Sequence, residues 1–324
     1  MTASRFQLMC GAVMAALSCT PLAGQSSNTQ ETKNQQVVLN WYHDVIMSGH
    51  VDQASKYMAD DYVEHDPTIA GGRTGFVQHY SDTSARAPMG KPAESFAKGD
   101  YVVLVWEHSD KDPQTSTPYK YFTYDVARVK NGKVQEHWNN AKPMTTAHSG
   151  APSAAVLQGH GDVPPGVPMK ATYDVSSLKY TPEEQKNIEV AVGYYRDCVQ
   201  SHHPELVENF LAKGEINHNP NDPKTPAGLM ALLGSRFPKP EPLHKEIEPL
   251  PNLLLAKGNM VLFMYDEEAK DSNGKPYQCD RFEMVRFKDG KIAEHWDVAN
   301  RRVNAQSWKL EWCSKSGRND CPTP

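Results

Sequence analysis

The chain of 324 residues contains the same order of segments twice, and this repeat constrains the fold more than any other feature. The octapeptide GKVQEHWN at 132–139 recurs as GKIAEHWD at 290–297, and the HDP turn at 65–67 matches HNP at 218–220. The offset between counterparts ranges from 153 to 159 residues. Solenoid repeats are roughly 20 to 50 residues long, whereas this period has the size of a small domain. The sequence therefore predicts two tandem copies of one fold.

Composition and repeat boundaries together divide the chain into six segments. We expect a signal peptide at 1–23, a polar tether at 24–34, a first domain at 35–142, a linker rich in Pro, Gly and Ser at 143–180, a second domain at 181–303 and a C-terminal tail at 304–324. The net charge of -5 is spread over mixed charges without a basic run. Nucleic-acid binding needs a basic surface, so we expect no nucleic-acid partner.

The N-terminal residues have the order of a secretory leader. A single positive charge in Met1–Arg5 precedes the apolar stretch Phe6–Leu17, and small residues follow at Ser18–Gly24. The apolar stretch is too short to span a bilayer, so cleavage after Ala23 and export to the periplasm or the medium are predicted. The alternative is a lipoprotein anchored at Cys19, because the residues before it resemble a lipobox. No later stretch approaches the ~18 apolar residues of a membrane span.

Four cysteines remain after removal of the leader: Cys198, Cys279, Cys313 and Cys321. In an oxidising compartment, Cys313 and Cys321 are placed to close a loop in the tail, and Cys198 and Cys279 fit equally well as buried free thiols. Four cysteines allow three pairings, and the sequence does not choose among them.

Each copy is predicted to contain helices first and strands afterwards. Thr181, Pro182 and Glu184 supply an N-cap, a proline in the first turn and a capping-box glutamate. Further helices are expected at about 52–58, 75–81, 204–211 and 227–233, and strands at 101–106, 121–130, 260–265 and 278–288. Asn131-Gly132 and Asp289-Gly290 predict tight hairpin turns. This order indicates an α+β fold with an antiparallel sheet.

The hairpin turn also predicts which residues share a face of the sheet. If Lys288 pairs with Lys291, then Asp297 lies opposite Phe282 and His295 lies opposite Met284. Asp297 and His295 would then have apolar neighbours on their own face. In the first copy, Asn139 and His137 would likewise share a face with Tyr124 and Val126. A bulge would exchange the two sets.

The helix, the His-(Asp/Asn)-Pro turn, a carboxylate in the penultimate strand and the closing (Asn/Asp)-Gly-Lys-x-x-Glu-His-Trp-(Asn/Asp) motif resemble the SnoaL-like polyketide cyclase family of the nuclear transport factor 2-like superfamily. The resemblance covers roughly residues 35–142 and 183–302. It implies two tandem cone-shaped α+β barrels, each with a curved antiparallel sheet wrapped by helices around an apolar pocket. It also implies cofactor-free acid/base chemistry in those members that are enzymes, with no metal.

The resemblance assigns candidate roles to individual residues. The family's base maps onto Asp297, whereas the first copy has Asn139, which cannot accept a proton. The candidate catalytic residues are Asp297, His295, His218 and Glu283. The candidate substrate-binding residues are His65, His108, Asp125, Asn139 and Tyr265. The alternative for His65 and His218 is a structural bond within the turn before proline, and the alternative for Asp297 is a bond to a neighbouring strand or helix end.

Two classes of function are compatible with these residues. One is an exported acid/base enzyme of the aldol or cyclase, isomerase or dehydratase type that acts on a small apolar carbonyl compound. The other is a non-catalytic module that binds a small ligand or associates through its sheet. Because this superfamily commonly pairs through its sheets, we expect an internal pseudo-dimer, with further homo-oligomerisation possible. The chain has no His-Glu-x-x-His, Gly-x-Ser-x-Gly or phosphate-binding motif.

Overall fold

The computed structural model describes residues 23–82, 90–112, 114–139, 173–270 and 276–298, which form two domains of the same architecture. The first domain contains helices α1 (Ala23–Trp41), α2 (Ala54–Tyr57) and α3 (Gly72–Ser81) and strands β1 (Met58–Glu64), β2 (Glu94–Lys98), β3 (Tyr101–Lys111), β4 (Pro118–Lys130) and β5 (Lys133–Asn139). The second contains α4 (Pro182–Gly193), α5 (Val207–Phe210), α6 (Pro226–Arg236), β6 (Leu211–Asn217), β7 (Leu253–Lys257), β8 (Met260–Lys270), β9 (Pro276–Lys288) and β10 (Lys291–Asp297). The predicted α+β class and tandem organisation are confirmed.

Each domain has one five-stranded sheet, ordered β1-β5-β4-β3-β2 in the first and β6-β10-β9-β8-β7 in the second. Both sheets are open and mixed, because β1 runs parallel to β5 and β6 runs parallel to β10. The expectation of a purely antiparallel sheet was therefore wrong at this edge. Strands β1 and β6 were not predicted, since both are short and contain several polar residues.

The first helix of each domain is less regular than the sequence predicted, and that of the first domain is also longer. Helix α1 begins at Ala23, so the segment 24–34, expected to be a tether, lies within it. Helix α4 begins at the predicted capping box, in which Thr181 and Glu184 each accept from the other's backbone N–H. Both helices continue into a π-helical segment, Tyr42–Met47 and Tyr194–Gln200. Such segments redirect side chains and are frequent at functional sites.

The predicted hairpin turns are present, but a bulge follows each of them. Asn131 and Asp289 both adopt a φ of 52°, and the glycine after each also has a positive φ. In β10, Ile292 pairs with Phe287 and Glu294 with Arg286, which leaves Ala293 as the extra residue. Asp297 therefore lies opposite Glu283 and not opposite Phe282. The predicted register was wrong by one residue, and the two sets of residues change faces.

The two faces of each sheet have different partners. The inner face of the second sheet, which packs against that domain's helices, carries Glu283, Val285, His295 and Asp297. The shared face carries Phe282, Met284 and Trp296, which pack against Tyr124, Val126 and Trp138 of the first domain. The rings of Tyr124 and Phe282 stack with centroids 5.3 Å apart. The two sheets therefore contact each other through these side chains.

Two reciprocal ion pairs join the domains around this shared face. Glu184 accepts from Lys98 at 2.6 Å, and Glu31 accepts from Lys257 at 2.5 Å. Each glutamate also accepts from a backbone N–H of its own domain, at Gly258 and Gly99 respectively. The same contact made in both directions is the pattern of a two-fold symmetric interface.

Several predictions concern residues outside the described ranges: the leader with Cys19, most of the linker, and the tail with Cys313 and Cys321. Cys198 is a buried free thiol and Cys279 is likewise buried. Among the described helices, none combines the length and apolar character required to cross a membrane.

Candidate functional site

The inner face of the second sheet brings three of the four candidate catalytic residues together. Glu283 on β9 pairs directly with Asp297 on β10, and His295 lies two residues before Asp297 on the same face. One ligand-type atom from each of the three lies within 4.8 Å of the others. The cluster therefore combines a histidine and two carboxyl groups close enough for their charges to interact.

Glu283 is the most heavily hydrogen-bonded member of this cluster. Its Oε2 accepts from His295 Nε2 at 3.0 Å and from the Tyr195 hydroxyl at 3.2 Å, and its Oε1 accepts from Arg281 at 2.8 Å. Tyr195 reaches the sheet from the π-helical segment. Burial would raise the pKa of Glu283, but the bond from His295 and the Arg281 charge outweigh it and lower the pKa. Glu283 is thus an anion that orients its neighbours.

His295 is correspondingly held in its charged form. Burial lowers the pKa of an imidazole, but the hydrogen bond and charge of Glu283 exceed this effect and raise the pKa to about 9. Because Nε2 is used by Glu283, Nδ1 is the ring nitrogen without a hydrogen-bond partner among the described residues. At neutral pH, His295 is a cation with a proton to donate.

Asp297 has one oxygen in use and one free. Oδ2 accepts from the side-chain amide of Asn219 at 2.6 Å, while Oδ1 is buried and has no hydrogen-bond partner among the described residues. Burial, followed by the charge of Glu283, raises the pKa of Asp297 to about 7, against the opposing charge of His295. A carboxyl group with this pKa and a free oxygen can accept or return a proton near neutral pH.

Tyr265, a candidate substrate-binding residue, lies beside this cluster. The Arg281 guanidinium lies over its ring, 4.1 Å from the centroid, and Arg281 Nε donates to Glu267 at 2.7 Å. Burial raises the pKa of Tyr265 to about 12, so the ring is neutral at physiological pH. Arg281 thus links Tyr265, Glu267 and Glu283 into one fixed group.

The three clustered residues are also a possible set of metal ligands. Glu283, His295 and Asp297 each offer one donor atom. Arg281 already neutralises Glu283 in this arrangement, and His295 already occupies its Oε2. A bound cation would have to displace both contacts, which disfavours a metal role for this set.

The structure places His218 and His65 away from the inner faces. His218 stacks on Trp296 with ring centroids 4.7 Å apart and bonds Glu294 at 3.3 Å. His65 stacks on Trp138 in the same way and bonds Glu136. Both tryptophans belong to the shared face. These histidines are the first residues of the predicted turns, but the structure does not bring them together with Asp297 or Asn139.

The first domain encloses its histidine more completely. His137 lies between two carboxylates, with Nδ1 3.0 Å from Glu64 and Nε2 2.8 Å from Asp125. Asp125 also accepts from Trp106 Nε1 at 2.6 Å. The side chains of His137 and Glu64 are 0% exposed and that of Asp125 is 7% exposed. Burial opposes charge on His137, but Glu64 and Asp125 raise its pKa well above the ordinary value.

Larger side chains fill the interior of the first domain. Trp41, Tyr62 and Phe76 are buried in its core. Their counterparts in the second domain are Tyr194, Glu215 and Leu229, which are smaller or polar. The first interior is a packed core around a buried ion cluster, whereas Glu283 and Asp297 of the second domain are partly exposed.

Asn139 and Asp66 form the counterpart of the pair made by Asp297 and Asn219. The Asn139 amide donates to Asp66 Oδ2 at 2.6 Å, so the acid and the amide have exchanged positions between the domains. Thr68 donates twice more to Asp66, through its backbone N–H and its hydroxyl. Burial, followed by Glu64, raises the pKa of Asp66.

His108 lies further along β3 than the enclosed cluster. Its Nε2 is 2.8 Å from the Thr123 hydroxyl and its ring stacks on Tyr121. Burial lowers its pKa, so the imidazole is neutral. Its counterpart Glu267 binds Arg281 in the second domain. The two domains therefore differ at this position in charge and in contacts.

Sequence reasoning missed several members of these clusters: Glu64, Asp66, Tyr195, Glu215, Asn217, Asn219 and Arg281. Glu64 and Asn217 occupy matched positions on β1 and β6, beside the histidine of β5 or β10. The alternation of Tyr62 with Glu64, and of Glu215 with Asn217, is the pattern that would have identified a strand with an inner face.

A family model agrees with the tandem organisation. A family model described as SnoaL-like domain matches residues 38–137 and 191–295, which together exceed half of the chain. No curated protein matches the chain in sequence. A proposed polyketide cyclase from Acidithiobacillus ferrooxidans shares 19% identity, with 33% of this chain and 86% of that chain covered and a TM-score of 0.27. IdmH, a proposed polyketide cyclase from Streptomyces antibioticus, shares 21% identity. That match covers 35% of this chain and 94% of that chain, with a TM-score of 0.28.

Proposed function

Because the chain belongs to the SnoaL-like domain family, we propose that its second domain is a cofactor-free acid/base enzyme that acts on a small apolar carbonyl compound. The observation that carries this proposal is Asp297, a carboxyl group with a buried oxygen that has no hydrogen-bond partner among the described residues and a pKa of about 7. A base with these properties accepts a proton near the working pH.

The neighbours of Asp297 supply the second requirement of such a reaction. Removal of a proton next to a carbonyl group places negative charge on the carbonyl oxygen, which must be stabilised. His295, kept protonated by Glu283, is the donor for this oxygen. In this mechanism Asp297 takes the proton from carbon, His295 donates to the oxygen, and Glu283 positions His295 without contacting the substrate. The reaction type is an aldol or cyclase, isomerase or dehydratase step.

The test is hydrogen exchange at the carbon next to a carbonyl group, followed by proton NMR in D₂O with a panel of small ketones and 1,3-diketones. We expect the protein to accelerate exchange for some members and Asp297→Asn to slow it by roughly 10²- to 10⁴-fold. Asn139→Asp is the matched control and should change the rate little. Exchange at the uncatalysed rate for every compound, or an unchanged rate in Asp297→Asn, would contradict the proposal.

A second candidate function is a non-catalytic module that binds a ligand or associates through its sheet, and one observation favours it for the first domain. Its His137 cluster is enclosed, and aromatic residues fill its interior. We propose that the first domain acts as a scaffold that covers the shared face of the second. Saturable binding of a ketone without exchange would extend the binding role to both domains.

We further propose that the predicted leader directs export of the protein to the periplasm or the medium, with attachment at Cys19 as the alternative. The substrate would then be a compound available outside the cytoplasm. This consideration argues against a dedicated role in polyketide assembly.

A further inference from the structure

Glu215 is a buried carboxyl group that the proposed reaction does not use. It is 5% exposed, and its Oε1 is buried without a hydrogen-bond partner among the described residues. Its counterpart Tyr62 donates its hydroxyl to Glu64 in the first domain. In the second domain, Glu215 and Asn217 occupy the positions of Tyr62 and Glu64. The hydrogen bond between these two positions is not made there, and Glu215 Oε1 has no hydrogen-bond partner among the described residues. Buried polar atoms in native proteins usually have a partner, which makes a free one informative.

The strand places Glu215 on the inner face. Glu215 and Asn217 are two residues apart on β6 and both are buried, whereas Ile216 between them is exposed. Asn217 pairs with His295 in the parallel ladder. Side chains two apart on a strand lie on the same side, so Glu215 is on the same side of the sheet as His295 and Asp297.

The surroundings of Glu215 favour its neutral form. Burial raises its pKa, while the positive charges of His295 and Lys224 lower it and the negative charge of Asp222 raises it, with a net increase. Tyr194, from the π-helical segment, also lies within electrostatic range. A neutral carboxyl group donates through its hydroxyl and accepts through its carbonyl oxygen, so it can bind an oxygen of a ligand.

We propose that Glu215 is a ligand-binding residue of the second domain and that the ligand carries two oxygen functions, one bound by Glu215 and the other activated at His295 and Asp297. This inference rests on the proposed function and adds a substrate class to it: dicarbonyl or hydroxycarbonyl compounds. His295 and Glu215 then bind the two oxygens of one small molecule, and a compound with a single oxygen leaves Glu215 without a partner.

The experiment compares binding of pentane-2,4-dione and pentan-2-one, which differ by one carbonyl group, by ligand-observed NMR. We expect the wild-type protein to bind the diketone more tightly by roughly 5-fold, the effect of one net hydrogen bond. Glu215→Leu should abolish this preference, and Glu215→Gln, whose amide still donates, should retain part of it. Thermal unfolding of each variant establishes that it is folded.

The control variant separates this inference from the proposed function. Asp297→Asn should keep the preference for the diketone while losing hydrogen exchange. An unchanged preference in folded Glu215→Leu, or no preference in the wild type, would overturn the role of Glu215. A preference that depends on Glu215 together with exchange that does not depend on Asp297 would support the binding site and overturn the catalytic proposal.

Discussion

The side-chain amide of Asn219 donates a hydrogen bond of 2.6 Å to Oδ2 of Asp297. The first domain makes this bond with the partners exchanged, since Asn139 donates to Asp66 at 2.6 Å. The bond itself is therefore common to both domains, whereas the position of the acid is not. In the second domain the acid lies at the end of β10, opposite Glu283.

The double variant Asn219→Asp/Asp297→Asn transfers the first domain's arrangement to the second. The hydrogen bond between the two positions is retained, so we expect the melting temperature to change little. Hydrogen exchange should fall by roughly 10²- to 10⁴-fold, because the carboxyl group no longer occupies the position of the base. Calorimetry and NMR exchange measure the two effects. Full exchange activity would mean that either position can hold the base.

The rate should depend on pH in a bell-shaped manner. Asp297 must be ionised to accept a proton, so the rate rises as pH increases through about 7. His295 must be protonated to donate, so the rate falls as pH increases through about 9. These apparent values belong to the whole cluster. Glu283→Gln removes the anion that raises the pKa of His295, so the descending limb should move to lower pH.

The buried cluster of the first domain should matter more for stability than its counterpart. His137→Ala leaves Glu64 and Asp125 buried without their cation, which costs about 3 to 5 kcal/mol in the free energy of unfolding. His295→Ala should cost less, because Asn217 is neutral and Arg281 still binds Glu283. Urea unfolding of the two variants measures both losses in the free energy of unfolding. Equal losses would contradict it.

The same cluster predicts how stability changes with pH. The pKa of His137 is raised by folding, so its stabilising effect is fully present below the unfolded value of about 6.5. The effect is lost as pH rises through the higher pKa of the folded protein. The difference in stability between wild type and His137→Gln should therefore shrink in alkaline solution.

The two ion pairs between the domains should be unequal. Lys98 and Glu184 are 6% and 5% exposed, whereas Lys257 and Glu31 are 34% and 11% exposed. Removing one partner of a buried pair is costly, since the other charge stays buried. We expect Glu184→Ala to lower the urea midpoint more than Glu31→Ala. A double-mutant cycle with the matching lysine isolates each pair.

Export predicts that the mature protein begins near residue 24. N-terminal sequencing of native protein tests this, and an intact Met1 or a lipid-modified Cys19 would contradict it. The structure also indicates how far the N-terminus can be shortened before stability is lost. Glu31 bonds Lys257 and Gly99, so a form beginning after Glu31 should be less stable than one beginning at 24.

The sequence was sufficient for the number of domains, the capped helix and the hairpin turns, because each depends on a local pattern. The register was predicted incorrectly, since the extra residues Gln135 and Ala293 resemble ordinary strand residues. One inserted residue moved Asp297 away from Phe282 and next to Glu283. Glu215 was missed for a different reason, because its strand follows a helix without a turn residue and contains few apolar residues.

The shared face ties Tyr124, Phe282 and the two tryptophans to each other, so a substitution there must suit both domains. The inner faces point in opposite directions, so a substitution on one of them has to suit only its own domain. Two domains joined in this way share one surface under joint constraint, while each interior can differ from the other. One copy can become a stability element while the other explores new chemistry.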